Sequence, residues 1–238
     1  MSEFSNEPIV PGSGPEMSLI DTWIEAFTKP REETYARIAA QPSASTTKAL
    51  LWVFVASLLT SLVSLVASLG GQMESLRQML PPEIANQLPA GAESSIGIGT
   101  IICGAPVGAI FAVLGFAIGT ALVQWVAKLF GGTGTFDKLA YAFSAITVPY
   151  SVVSSILALL SLIPFVGILT GLISLALLPY VIVLEVLAVK AVNRLDTGKA
   201  VGAVLLPGLV IFLIICCCVI IGVSVLLPVM SETFQGIN

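Results

Sequence analysis

Glu185, in the run PYVIVLEVLAVK, is the one charged residue well inside an apolar stretch of this 238-residue chain. A carboxylate in lipid is costly, so by default it marks a function such as proton or cation coupling. A structural use competes with that one. On a straight helix Glu185 stands about 7.5 Å in rise from Lys190, close enough to reach the interface or to pair with Lys128 or Lys138. Gln124 and Asn193 are candidates for the same polar cluster.

Other chemistry is thinly supplied. There is no histidine, which removes the commonest metal ligand and neutral-pH general base, and with it most haem, zinc-hydrolase and Ser-His-Asp readings. No GxxxxGK[ST], HExxH or GxSxG motif occurs. The loop GGTGT from Gly131 is a poor phosphate cradle and reads better as a turn between two spans. Cys103 and the run Cys216, Cys217, Cys218 all fall in apolar stretches. Neighbours on a helix point about 100° apart, so the triplet is read as packing residues and not as a three-thiolate metal site. No catalytic residue, cofactor or metal is expected, and nucleic acid is not among the expected partners.

The elements that must position Glu185 are membrane helices. Hydrophobic residues make up 56% of the chain and charged ones 10%, with a mean hydropathy of +1.01, more apolar side chain than a soluble domain can hide. The expected fold is all-α: a polytopic bundle of about five spans, near 49–69, 105–128, 139–163, 165–190 and 201–228, within a membrane domain over 45–238. Residues 1–15 read as a disordered tail with no secretory signal, and 16–44 as amphipathic juxtamembrane helices. In the first of these Met17, Ile20, Trp23, Ile24 and Phe27 share one face. Lying in the bilayer interface suits its aromatic edge, whereas its acidic polar face suits docking on the bundle. The second, PREETYARIA, starts at Pro30 and ends before Gln41-Pro42.

Within the spans, two faces invite close helix contact. Ser57, Ser61, Ser64 and Ser68 line one side of the first span, as packing residues or as a hydrophilic pore lining. Gly104, Gly108, Ala112, Gly115 and Gly119 line one side of the second, where another helix is expected to pack and where self-association is open. The apolar stretch that leads into it, from Ile96, is expected to be interfacial or kinked. Pro149, Pro179 and Pro207 fall inside the last three spans and predict kinks or partly unwound turns. The short turn Ile163-Pro164-Phe165-Val166-Gly167 predicts an antiparallel hairpin of the third and fourth.

Charge then orients the bundle. Lys29, Arg31, Arg37 and Lys48 precede the first span, Lys128 and Lys138 flank the second loop, and Lys190, Arg194 and Lys199 flank the fourth. Alternation puts these on one side and leaves Arg77 on the other. The positive-inside rule gives a cytoplasmic N-terminus, five spans and an outside C-terminus.

Three stretches in order, KPREETYARIAAQP, GGTGTFDKLAYAFSAITVP and LDTGKAVGAVLLP, resemble a bacterial member of the Yip domain family, over most of the chain from about Lys29. The resemblance implies a helical membrane protein of four or five spans, here in a bacterial plasma membrane. Eukaryotic members of the family are adaptors that bind Rab-type GTPases in ER-to-Golgi traffic and membrane shaping. Their aspartate-leucine-tyrosine-glycine-proline signature is absent here, so GTPase binding is not carried over. What the resemblance implies is a non-enzymatic scaffold or adaptor whose partners are the bilayer, other membrane proteins or itself. The alternative is a small transporter or channel built on Glu185 and proline-broken helices.

Overall fold

The computed structural model describes residues 17–69, 104–163, 165–213 and 216–217. These form α1 (Leu19–Thr28), α2 (Glu32–Ala39), α3 (Thr46–Leu69), α4 (Ala105–Leu129), α5 (Phe136–Leu160), α6 (Val166–Asn193) and α7 (Thr197–Leu213), with no strand among them. The protein is an all-helical, polytopic membrane protein: α3 to α6 are each long and apolar enough to cross a bilayer. The fifth expected span is described as α7 and at Cys216–Cys217. The rest of it, the 1–15 tail, the apolar stretch from Ile96 to Cys103, and Cys103 and Cys218 themselves lie outside the described residues.

Each short connection fixes an antiparallel pair. α4 turns into α5 through 130–135, α5 into α6 through 161–165, and α6 into α7 through Arg194–Asp196, as the predicted hairpin requires. α3 packs on α4 and α5, α5 on α6, and α4 on both α5 and α6. The first turns of α3, α5 and α7 therefore share one end of the bundle with the last turns of α4 and α6. Lys48, Lys128, Lys138, Lys190, Arg194 and Lys199 all sit at that polar end, and Lys29, Arg31 and Arg37 join them on α1 and α2. Apolar burial is heaviest in the same half, from Leu139 to Val148 on α5 and from Leu184 to Val192 on α6.

The two N-terminal helices are built into this end. Ser18 caps α1, its hydroxyl accepting from the Asp21 N–H at 3.2 Å. Thr22 and Ala26 on its inner face are buried against the bundle, where α1 meets α5. Trp23 stands edge-on to Trp52 at 5.4 Å between ring centroids, and Trp52 packs on Tyr141 at 4.9 Å. The Tyr35 hydroxyl of α2 donates to the Ala26 carbonyl at 2.6 Å, and the Tyr180 hydroxyl of α6 donates to the Phe27 carbonyl. Lys190 reaches Glu32 at 2.8 Å. Docking is thus what the Trp23 and Phe27 side of the amphipathic helix does, while Ile20 and Ile24 beside it stay exposed.

The prolines leave the helices continuous. α5 runs through Pro149, α6 through Pro179 and α7 through Pro207 as unbroken helix, although each proline deprives the carbonyl four residues earlier of its donor.

Candidate functional site

Two polar constellations occupy the bundle, at different depths. The shallower one closes the polar end. Gln124 near the end of α4 and Asn193 at the end of α6 are both buried, and their side-chain amides exchange two hydrogen bonds of 3.1 Å. Gln124 also donates to the Gly134 carbonyl at 2.7 Å, and the Thr133 N–H donates to the Asn193 carbonyl at 3.2 Å. The GGTGT loop is folded onto this pair. A Cβ on Gly132 would stand 2.8 Å from the Ala127 carbonyl oxygen, and one on Gly134 would stand 2.7 Å from that of Val192. The loop needs those glycines to approach Asn193, and Gly131 takes a φ of +91° to begin the turn. This constellation has the form of a structural clasp, with its polar groups spent on one another.

The deeper one is a cavity of about 260 Å³ between α4, α5, α6 and α7. Glu185 lines it, with Thr120 from α4, Thr147 from α5, the rings of Phe116 and Phe143, and Pro207 from α7. On α6 Glu185 stands about 12 Å of helix rise from Asn193, one to two turns deeper into the bundle than Lys190.

The expected pairing partners are elsewhere. Among the described residues Glu185 forms no ion pair or hydrogen bond, Lys128 and Lys138 are exposed, and Lys190 is engaged by Glu32. The physical reason is facing: Glu185 points between four helices, while the lysines point outward at the polar end. Gln124 and Asn193, expected in one cluster with it, hold each other instead.

The small-residue faces divide likewise. Ser61 and Gly108 meet across α3 and α4, a Cβ on Gly108 lying 3.8 Å from the Ser61 hydroxyl oxygen. Ser57 is half-buried, Ser64 is exposed, and the Ser68 side chain lies outside what is described. Gly104 and Gly115 are exposed, and a Cβ on Gly115 or Gly119 would meet no described atom within 4 Å. Gly119 faces the cavity. A contact that the serine pattern did not single out joins α3 to α5, where the Ser155 hydroxyl lies 3.4 Å from that of Thr60. Thr60 lies at helical spacing from Ser57 and Ser64, but only the fold shows that it faces Ser155.

The family model of the Yip1 domain matches residues 24–219. The chain belongs to the Yip1 domain family. That match spans both N-terminal helices from Ile24 and every later described helix, so the docked cap and the cavity are parts of the family domain. No curated protein and no solved structure matches the chain.

Proposed function

We propose that this Yip1-domain protein is a non-enzymatic scaffold of a bacterial plasma membrane, with its polar end in the cytoplasm and α1 lying at the bilayer interface. The observation that carries the reading is the docked pair α1 and α2. Around the spans the exposed large side chains are apolar, such as Leu51, Val55, Phe111, Leu172 and Leu175, as suits lipid contact. The N-terminal helices are different: the hydroxyls of Tyr35 and Tyr180 both donate to backbone carbonyls of α1, Glu32 holds Lys190, and Arg31, Glu33 and Arg37 stay exposed. A charged surface held in a fixed position is what a membrane-bound adaptor presents to a partner. On α1, Ile20 and Ile24 are placed to enter the interface beside it.

Photo-crosslinking amino acids at Arg31 and Glu33, compared with one at Leu172, test this in native membranes. The scaffold gives a discrete protein adduct at the first two positions and lipid alone at the third. Lipid alone at all three, together with solute movement by the purified chain in vesicles, overturns it.

One observation favours a second reading, a small carrier or channel. Glu185 sits unpaired among the described residues in a cavity between four helices, a usual setting for a coupling carboxylate. Under that reading Glu185→Gln abolishes flux in proteoliposomes and keeps the helical content of the wild type.

A further inference from the structure

The cavity around Glu185 has a composition that selects its occupant. Among the described residues its polar groups are one carboxylate and the hydroxyls of Thr120 and Thr147, and no cationic side chain lines it. Neither threonine hydroxyl forms a hydrogen bond among the described residues, so both remain available as acceptors. An anion placed there meets Glu185 and nothing positive to offset it. A divalent metal is equally ill served. Calcium takes about six to eight oxygen ligands and zinc prefers nitrogen and sulfur, neither of which this set supplies.

A proton needs no such space. At about 30 Å³ per water in the liquid, a cavity of about 260 Å³ holds on the order of eight non-hydrogen atoms. Two glycines make the room: a Cβ on Gly119 or Gly208 would meet no described atom within 4 Å, and both residues line the cavity. The rest of the wall is apolar, from Leu122, Val123, Val204 and Ile211. Phe116 and Phe143 add ring faces, which attract a cation.

We infer that this cavity binds a monovalent primary ammonium carried on a short apolar tail. The ammonium pairs with the Glu185 carboxylate and donates its remaining N–H groups to Thr120 and Thr147. The tail lies along the aliphatic wall. Charge balances one to one, which removes the cost of an unpaired carboxylate in a low-dielectric site. The inference rests on the cavity that favours the carrier reading but not on transport. A chain that binds and moves nothing keeps the site and loses the carrier.

The test is equilibrium binding of radiolabelled hexylamine to the full chain in phosphatidylcholine nanodiscs. The expected result is saturable binding, displaced by unlabelled hexylamine and not by hexanol or hexanoate. Gly119→Leu fills the space and leaves Glu185 in place, and is expected to weaken binding at least tenfold while circular dichroism stays that of the wild type. Glu185→Gln is expected to do the same. Non-saturable uptake equal in wild type and variants, or displacement by hexanol as effective as by hexylamine, overturns the inference. Should neither variant fold, the wild-type chain still decides. Hexylamine is expected to slow modification of Glu185 by dicyclohexylcarbodiimide, read as the adduct on its peptide by mass spectrometry, and an unslowed reaction rejects the site.

Discussion

Gln124 and Asn193, distant in sequence, bond to each other twice across the adjoining ends of α4 and α6, and the loop from Gly131 is laid over the pair. A buried amide that loses its partner keeps its desolvation cost and gains nothing in return. Asn193→Leu and Gln124→Leu are each expected to destabilise the bundle by about 1–3 kcal/mol, because each strands the other residue. The double variant is expected to cost less than the sum of the two. Denaturation in mixed micelles measures all three, and strictly additive losses would show that the two amides do not act together.

The same clasp predicts which glycines tolerate a methyl group. A Cβ on Gly134 falls 2.7 Å from the Val192 carbonyl oxygen and 2.8 Å from the Asn193 side-chain oxygen, so Gly134→Ala must displace backbone. Overpacking of this kind costs about 1–3 kcal/mol. Gly115→Ala meets no described atom within 4 Å and gains helix propensity of up to about 1 kcal/mol. Thermal denaturation should therefore rank Gly134→Ala well below wild type and Gly115→Ala at or above it. A Gly115→Ala loss as large as that of Gly134→Ala would mean that this face of α4 is covered in the membrane.

Tyr35 ties α2 to α1, and its ionisation should release that tie. Burial pushes its hydroxyl above the ordinary tyrosine value near 10, and the neighbouring Tyr180 adds to the effect. A group whose pKa is raised on folding gives stability that is complete below the unfolded value. That stability is lost as pH climbs past it towards the folded one. Cap docking, followed by fluorescence of Trp23 and Trp52, is expected to hold through neutral pH and weaken above about pH 10. Tyr35→Phe is expected to lose about 0.5–1.5 kcal/mol at neutral pH, for the bond to Ala26, and to flatten the alkaline slope. An unchanged slope in that variant would assign the alkaline transition to another group.

Much of this arrangement was legible from composition and periodicity because lipid constrains a helix strongly. The second span was expected over 105–128 and α4 runs Ala105–Leu129, since a run of that hydropathy bounded by Pro106 and Lys128 has few other solutions. Partner choice was not legible. Gln124 and Asn193 are both polar residues near the ends of apolar spans, but nothing local says that they face each other and not Glu185. Lys190 looked like the nearest cation to Glu185 along the helix, yet Glu32 occupies it from an element far earlier in the chain. The sequence of α1 suits both docking and the interface because one helix carries both faces, Trp23 and Phe27 turned to the bundle and Ile20 and Ile24 turned away.

The distribution of cations makes the last prediction, about sidedness. Lys48, Lys128, Lys138, Lys190, Arg194 and Lys199 belong to different spans, yet the alternation of α3 to α7 brings them to one end, where the docked cap adds Lys29, Arg31 and Arg37. Such an excess is retained in the cytoplasm during insertion. Single cysteines introduced at Arg31, Thr133 and Asp196, in a chain whose four native cysteines are replaced by alanine, are expected to resist a membrane-impermeant maleimide in intact cells. All three are expected to react once the membrane is opened. A cysteine at Ser161, in the turn between α5 and α6, is expected to react from outside in intact cells, because that turn is at the opposite end. Labelling at Asn238 then counts the crossings: reaction from outside gives five spans, and protection means that the segment beginning with α7 does not cross. Protection of Ser161 with exposure of Thr133 would invert the whole bundle and overturn the cytoplasmic placement of the cap.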